Sequence, residues 1–207
     1  MQFRTAQEAF WAGNFGDEYV DRNRGEDVLA ANTALFARVL ARAPGVHSVL
    51  ELGANIGMNL VAIRRLLPDA QLSAVEINEK AAEPLREIQG CTVHATSLLD
   101  YEPESEADLV LAKLVLIHVN PDELCRAYRV LYQSTRRYIC IAEYYNPNPA
   151  EVTYRGHSSR LFKRDFAGEM LDTYRDLRLV DYGFIYHRDM TFAQDDVTWF
   201  LLEKTGI

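Results

Sequence analysis

The chain predicts an α/β fold: a mostly parallel, doubly wound sheet with helices before it and an antiparallel hairpin at its end. Three features lead there. Val49-Leu50-Glu51-Leu52-Gly53-Ala54-Asn55-Ile56-Gly57 reads as a buried strand running into a glycine turn and then a helix. Short apolar runs then alternate with helical stretches, the signature of βαβ units. Glu76 closes the next apolar strand, about 25 residues after Glu51, where a ribose hydroxyl pair would need an acceptor in such a sheet.

The elements follow in order. Thr5-Ala6-Gln7-Glu8 has the form of a capping box, in which Thr5 and Glu8 each satisfy a free amide at a helix start. That short helix carries Phe10 and Trp11. From Glu26 to Ala43 the residues Val28, Leu29, Leu35, Phe36, Val39 and Leu40 recur at helical spacing, and Pro44-Gly45 ends the pattern. Strands are predicted at His47 to Leu52, Gln71 to Glu76, Thr92 to Ala95, Asp108 to Ala112 and Tyr138 to Glu143. Between them lie helices Met58 to Leu67, stopped by Pro68, then Glu79 to Ile88 and Pro121 to Tyr132. Asn120-Pro121-Asp122-Glu123 sets a capping residue, a first-turn proline and acids in the order a helix start favours. Arg164 to Tyr174 follows as a helix, and Leu177 to His187 and Thr198 to Glu203 as a final hairpin.

At 207 residues, the chain suits one domain with a sizeable core, since roughly 100 to 200 residues make a domain. Residues 1–45 form a helical lid on a core of residues 46–207. A net charge of -8 disfavours nucleic acid, because phosphate backbones attract surplus Lys and Arg. No apolar run reaches the ~18 residues of a membrane span, and the start lacks the hydrophobic core of a signal peptide, so a cytoplasmic location without membrane contact is expected. Cys91, Cys125 and Cys140 are odd in number and lack paired spacing for zinc or a disulfide; they read as reduced packing residues. Arg155, His157, Arg160, Lys163 and Arg164 depart from the acidic balance and suggest a local cationic pocket.

In an open α/β sheet, ligands sit beyond the carboxyl ends of the strands at the switch point. Gly53 lets the backbone pass close to a ligand, Gly57 lets the helix start pack near the strand, and Asn55 between them tolerates an unusual turn conformation. The motif is neither Gly-x-Gly-x-x-Gly nor a phosphate-binding loop with its Lys and Ser or Thr. With Glu51 and Glu76, it points to S-adenosylmethionine. Glu76 as a cap for the helix beginning near Asn78 and Glu51 as a solvated strand-end charge are the structural alternatives.

Six segments carry a wider resemblance: Phe10 to Tyr19, Glu51 to Asn59, Leu116 to Pro121, Glu143-Tyr144-Tyr145-Asn146-Pro147, Tyr154-Arg155-Gly156-His157, and Leu161 to Glu169. On them the chain resembles the class I methyltransferases, and more narrowly the small methylase family associated with pseudaminic acid biosynthesis clusters. The resemblance runs from Phe10 to Lys204 and departs at Asn55, where many class I members carry a glycine. It implies a Rossmann-like class I methyltransferase fold with a mostly parallel seven-stranded sheet, an antiparallel last hairpin and an N-terminal helical lid. It also implies that Glu51 orients the loop or the methionine end, Glu76 accepts from the ribose, Ile77 flanks the adenine, and Thr96-Ser97-Leu98 contacts the adenine edge.

Lys113, just past the fourth strand, reads either as a snorkelling strand-end lysine or as a group at the cofactor pocket. Trp11 and Tyr19, with Arg22 and Asn23, are expected to lid the cofactor, since a sulfonium cation is well served by an aromatic face. His118 follows the fourth strand, where an acceptor approaches, and is the first candidate for a general base; its alternative is a bond near the Asn120 cap. Glu143 is the second candidate, with Tyr144 and Tyr145 walling the acceptor pocket. Arg155, His157, Lys163 and Arg164 suit a carboxylate or phosphate, against the alternative of a solvated face paired with Asp165 and Glu169. The resulting expectation is an S-adenosylmethionine-dependent methyltransferase, leaving S-adenosylhomocysteine, that acts at oxygen or nitrogen of a small anionic acceptor, needs no metal, and exists as a monomer or homodimer. A nonulosonic acid sugar or its nucleotide conjugate would be such an acceptor. A cofactor-binding module without turnover and a cyclisation of the sulfonium compound itself remain open.

Overall fold

A computed structural model describes residues 3–20 and 25–206 of the chain. In chain order the elements are α1 (Ala6–Ala12), α2 (Asn14–Tyr19), α3 (Glu26–Leu40), β1 (Ser48–Leu52), α4 (Met58–Leu66), β2 (Gln71–Glu76), α5 (Glu79–Arg86), β3 (Cys91–Ala95) and β4 (Ala107–Lys113). They continue as α6 (Leu124–Gln133), β5 (Thr135–Glu143), β6 (Ala150–Tyr154), β7 (His157–Lys163), α7 (Phe166–Thr173), β8 (Leu177–Ile185) and β9 (Val197–Lys204). Seven strands form one sheet in the order β3-β2-β1-β4-β5-β9-β8, and β6 pairs with β7 separately. The pairs among β1 to β5 are parallel; β9 runs antiparallel to β5 and β8.

Both faces of the parallel strands are apolar because both are covered. Leu50, Leu52, Val110, Ala112, Ile139 and Ile141 point into a core closed by α6 and α7. Their neighbours Val49, Leu109, Leu111, Tyr138 and Cys140 pack with Leu35, Phe36 and Val39 of α3 and Leu60 and Ile63 of α4. The strand order reverses between β1 and β4, and this places the switch point beside the turn that follows β1.

Several local expectations change. The predicted helix at Pro121 begins as a 3-10 turn, Pro121–Glu123, and becomes α-helical only at Leu124. There the Asn120 side chain accepts from the Asp122 amide at 3.0 Å, and the Asn120 carbonyl accepts from the Glu123 amide at 2.9 Å, which tightens the first turn. The β6–β7 hairpin was not foreseen. Its loop is Arg155-Gly156, with φ of 51° and 86°, a turn of the type normally signalled by Asn-Gly or Asp-Gly, and its strands are largely solvent-exposed, so no apolar alternation marks them. Cys125 is exposed, which corrects its reading as a packing residue.

Candidate active site

The turn after β1 holds three left-handed residues, with φ of 71° at Gly53, 48° at Asn55 and 80° at Gly57. Asn55 thus adopts the unusual turn conformation expected of it. The reason for Gly57 differs from the one expected. A Cβ on Gly53 would meet Val115 Cγ2 at 2.3 Å, and one on Gly57 would meet Ile88 and Leu85 of the α5 region at 2.5 and 2.6 Å. At Gly57 the crowding side chains belong to the α5 region and not to the adjoining strand, and Gly53, crowded by Val115, also lines the cleft.

The turn and the end of β2 are tied together by Glu76. Its Oε2 accepts the Asn55 amide at 2.7 Å and its Oε1 accepts the Asn78 amide at 2.8 Å. Burial pushes this carboxyl up from the usual carboxylate range, and the amides of Asn78, Asn55 and Ile77 pull it back. Asn78, not Glu76, caps α5, accepting from the Ala81 amide at 2.9 Å.

A cleft opens above the ends of β1 to β4, the place where an open α/β sheet binds its ligands. Its walls include Gly53 and Asn55 from the turn, Glu76 and Ile77 after β2, Ser97 and Leu98 after β3, and Leu114, Val115 and His118 after β4. Helices α1 and α2 roof it with Thr5, Gln7, Glu8, Trp11, Gly16 and Tyr19. The roof is tied to the loops after β3 and β2. The capping box of α1 forms as predicted, and the Glu8 carboxylate also takes the Ser97 hydroxyl. The Asn78 side-chain amide donates to the Trp11 carbonyl at 3.1 Å and to Asp17 Oδ1 at 2.8 Å.

His118 sits under this roof. Its Nδ1 lies 2.6 Å from the Arg160 carbonyl oxygen, and a carbonyl only accepts, so Nδ1 carries the proton and Nε2 keeps the lone pair. Burial lowers its pKa to about 4, partly opposed by that hydrogen bond, and the ring is neutral at pH 7. Aromatic rings enclose it: Trp11 at 4.5 Å and Tyr154 at 5.0 Å, with Tyr19 at 5.2 Å from Trp11.

Three polar atoms of cleft residues are buried without a hydrogen-bond partner: Gln7 Oε1, Trp11 Nε1 and Asn55 Oδ1. Stranding such atoms is costly, so the cleft is chemically incomplete in a way that a ligand with its own donors and an acceptor would relieve.

The remaining expected site residues fall elsewhere. Glu51 is fully buried beneath the turn, where its Oε1 accepts from Asn59 at 2.6 Å, and burial pushes it up to about 8. Lys113 does not line the cleft; burial lowers its pKa against the fields of Glu51, Asp195 and Glu143. Glu143 does not face the crevice. Its Oε1 accepts the Val115 and Leu116 amides at 3.0 and 2.8 Å, buttressing the loop after β4, and burial raises it to about 8. Asn23 and Arg22 lie outside the described residues.

The expected cationic pocket is dispersed. Arg164 is bound to Glu169 at 2.7 Å, the paired alternative. Arg155 lies on the hairpin turn over Tyr154, His157 packs on Phe10, and Lys163 lies 5.2 Å over Tyr144. Tyr144 donates to Asp195 at 2.7 Å, and Tyr145, 42 % exposed, packs on Phe200. None of these six lines the cleft. Thr5, Gln7, Glu8 and Asn78 were missed as site residues, although the capping box and the helix start at Asn78 were visible; what they face depends on the fold.

No protein-family model matches this chain, and no curated protein sequence matches it. Solved structures do. The 1,6-didemethyltoxoflavin-N1-methyltransferase of Burkholderia thailandensis, bound to 1,6-didemethyltoxoflavin and S-adenosylhomocysteine, is 16% identical, with 99% of this chain and 92% of that chain covered at a TM-score of 0.72. The plantazolicin methyltransferase BpumL, in complex with a pentazolic desmethylPZN analog and SAH, is 14% identical over 96% and 94%, at 0.66. Magnesium protoporphyrin IX methyltransferase (ChlM) from Synechocystis PCC 6803, with bound SAM, is 13% identical over 99% and 100%, at 0.65. At these identities the shared property is the fold: this chain has the Rossmann-like fold of the class I methyltransferases.

Proposed function

We propose that this chain is an S-adenosylmethionine-dependent methyltransferase acting on a small acceptor. The observation that carries the reading is the roofed cleft at the switch point, where the buried Glu76 carboxylate and three unpartnered polar atoms gather. The residues fit the cofactor. Glu76 has lone pairs beyond those used by the two amides and suits ribose hydroxyls. Asn55 Oδ1 suits an ammonium group, and Trp11 with Tyr19 suits a sulfonium cation.

The cofactor, when bound, supplies an electrophilic methyl group on a good leaving group. The protein's task is alignment and exclusion of water, which the α1–α2 roof performs. His118 has the protonation state a base requires: Nδ1–H is held by the Arg160 carbonyl and the Nε2 lone pair is available to an acceptor hydroxyl or amine. Glu143 works at one remove, fixing the Val115-Leu116 amides of the loop that presents His118.

We assign the acceptor to the small anionic compounds, of which a nonulosonic acid sugar or its nucleotide conjugate is the member suggested by the pseudaminic acid-associated resemblance. Calorimetric titration with S-adenosylmethionine and S-adenosylhomocysteine tests the cofactor: saturable heat is expected, and its absence with both compounds overturns the reading. Release of S-adenosylhomocysteine across a panel of acidic sugars tests the acceptor, and turnover confined to uncharged compounds overturns that assignment.

A further inference from the structure

We propose that Gln7 and Trp11, one turn apart on the inward face of α1, read a hydroxyl that the acceptor carries next to its methylated atom. The inference rests on the cofactor and acceptor readings above and adds two specificity-determining residues to them. Gln7 is only 6 % exposed, and both residues line the cleft. Side chains four positions apart in a helix lie on one face. The Gln7 Nε2 donates to the Ser159 carbonyl at 3.0 Å, which fixes the orientation of the amide, since the flipped form would set oxygen against oxygen. Gln7 Oε1 and Trp11 Nε1 are left buried with no partner.

Contacts through the β6–β7 hairpin place this pair beside His118. The Trp11 ring lies 4.5 Å from the His118 ring, and Tyr154 of β6 packs on both, at 6.2 and 5.0 Å. Ser159, which holds Gln7, directly precedes Arg160, whose carbonyl oxygen lies 2.6 Å from His118 Nδ1. One strand, β7, thus grips both α1 and the base. Gln7, Trp11 and His118 therefore serve the same ligand.

The two unpaired atoms have opposite needs: Gln7 Oε1 only accepts and Trp11 Nε1 only donates. Both are buried, so bulk water does not serve them, and stranding them is costly. A hydroxyl satisfies both at once, donating to Gln7 and accepting from Trp11. A carboxylate only accepts and would set oxygen against Gln7 Oε1. With the reacting hydroxyl or amine at His118 Nε2, the hydroxyl held by α1 is its neighbour on the acceptor, and the acid group lies farther off. On a sugar this is a vicinal pair.

The test is release of S-adenosylhomocysteine by the whole chain with glucuronic acid, galacturonic acid and N-acetylneuraminic acid, each run beside its mono-deoxy analogues, the methylated position being located by NMR. Wild type is expected to lose more than about tenfold in kcat/KM when the hydroxyl next to that position is removed, and Gln7→Leu and Trp11→Phe to lose less than about threefold on the same removal. A merely structural role would lower parent and analogue alike, and Trp11→Phe leaves the Gln7–Ser159 bond in place. Equal turnover of parent and analogue by wild type overturns the proposal, as does an undiminished loss in either folded variant. Wild type that binds S-adenosylhomocysteine and methylates none of the sugars overturns it too, with the cofactor reading left standing. Wild type that binds neither S-adenosylmethionine nor S-adenosylhomocysteine overturns the cofactor reading itself, and this proposal falls with it.

Discussion

Glu76→Gln separates the two tasks of the residue. In wild type its two oxygens accept the Asn55 and Asn78 amides at 2.7 and 2.8 Å. A carboxamide offers one acceptor oxygen, and its NH2 would face the other amide, so one buried N–H loses its partner at about 1–3 kcal/mol of folding stability. A ribose hydroxyl also loses a charged acceptor, about 1.5–3 kcal/mol, which is roughly 10- to 150-fold in the dissociation constant of S-adenosylhomocysteine. Because the first effect could weaken binding by loosening the turn, the assay is a cycle: wild type and variant are each titrated calorimetrically with S-adenosylhomocysteine and with its 2′-deoxy analogue. Wild type should lose affinity when the hydroxyl is removed, and the variant should lose much less. Equal sensitivity of both proteins to the missing hydroxyl would refute the claim that Glu76 holds the ribose.

His118→Ala should lower turnover by about 10²–10⁴-fold while the S-adenosylhomocysteine dissociation constant changes little; unchanged turnover removes His118 from the chemistry. Burial holds the His118 pKa near 4, so kcat/KM should stay level as pH falls from 7 to about 5.5, and an acid limb centred near the ordinary histidine value of about 6.5 would contradict the neutral ring. Asn78→Ala removes its own two bonds to the roof and the α5 cap; stopped-flow fluorescence should show faster cofactor release, and urea unfolding a loss of about 1 kcal/mol or more. For Glu51, the folded carboxyl near 8 keeps its proton where the unfolded one, near 4.5, has lost it. Stability is therefore fullest below the unfolded value and is lost as pH rises toward the folded one, by about 2.5 kcal/mol over pH 5–7. Glu51→Gln should lose this slope in urea unfolding across that range, and a slope equal to wild type would contradict a buried, protonated Glu51.

Much of the fold could be read from local pattern. The apolar runs at β1, β2, β4 and β5 are continuous because both faces are buried, and Thr5 with Glu8 announces α1 through bonds that span only three residues. The glycine turn, Glu76 and His118 are legible for the same reason, since each follows directly from a strand end. Other features required the tertiary structure. Glu143 and His118 both follow strands that meet at one edge of the crevice, yet one is buried behind Val115 and Leu116 and the other lines the cleft; strand periodicity does not say which loop folds over which end. The basic run from Arg155 to Arg164 looks like a pocket in sequence, but the hairpin spreads it from the turn along β7 and gives Arg164 to Glu169. Gln7 and Asn78 became site residues only when α1 was laid across the ends of β2 and β3. Sequence alone determined the strands of the seven-stranded sheet, the turn and the residue types able to hold an adenosyl group, because those depend on neighbours a few positions away. The three-dimensional packing decided which carboxylates stay buried, which polar atoms remain without partners and what roofs the cleft, because contacts such as Gln7 with Ser159 and Asn78 with Trp11 join residues far apart in the chain.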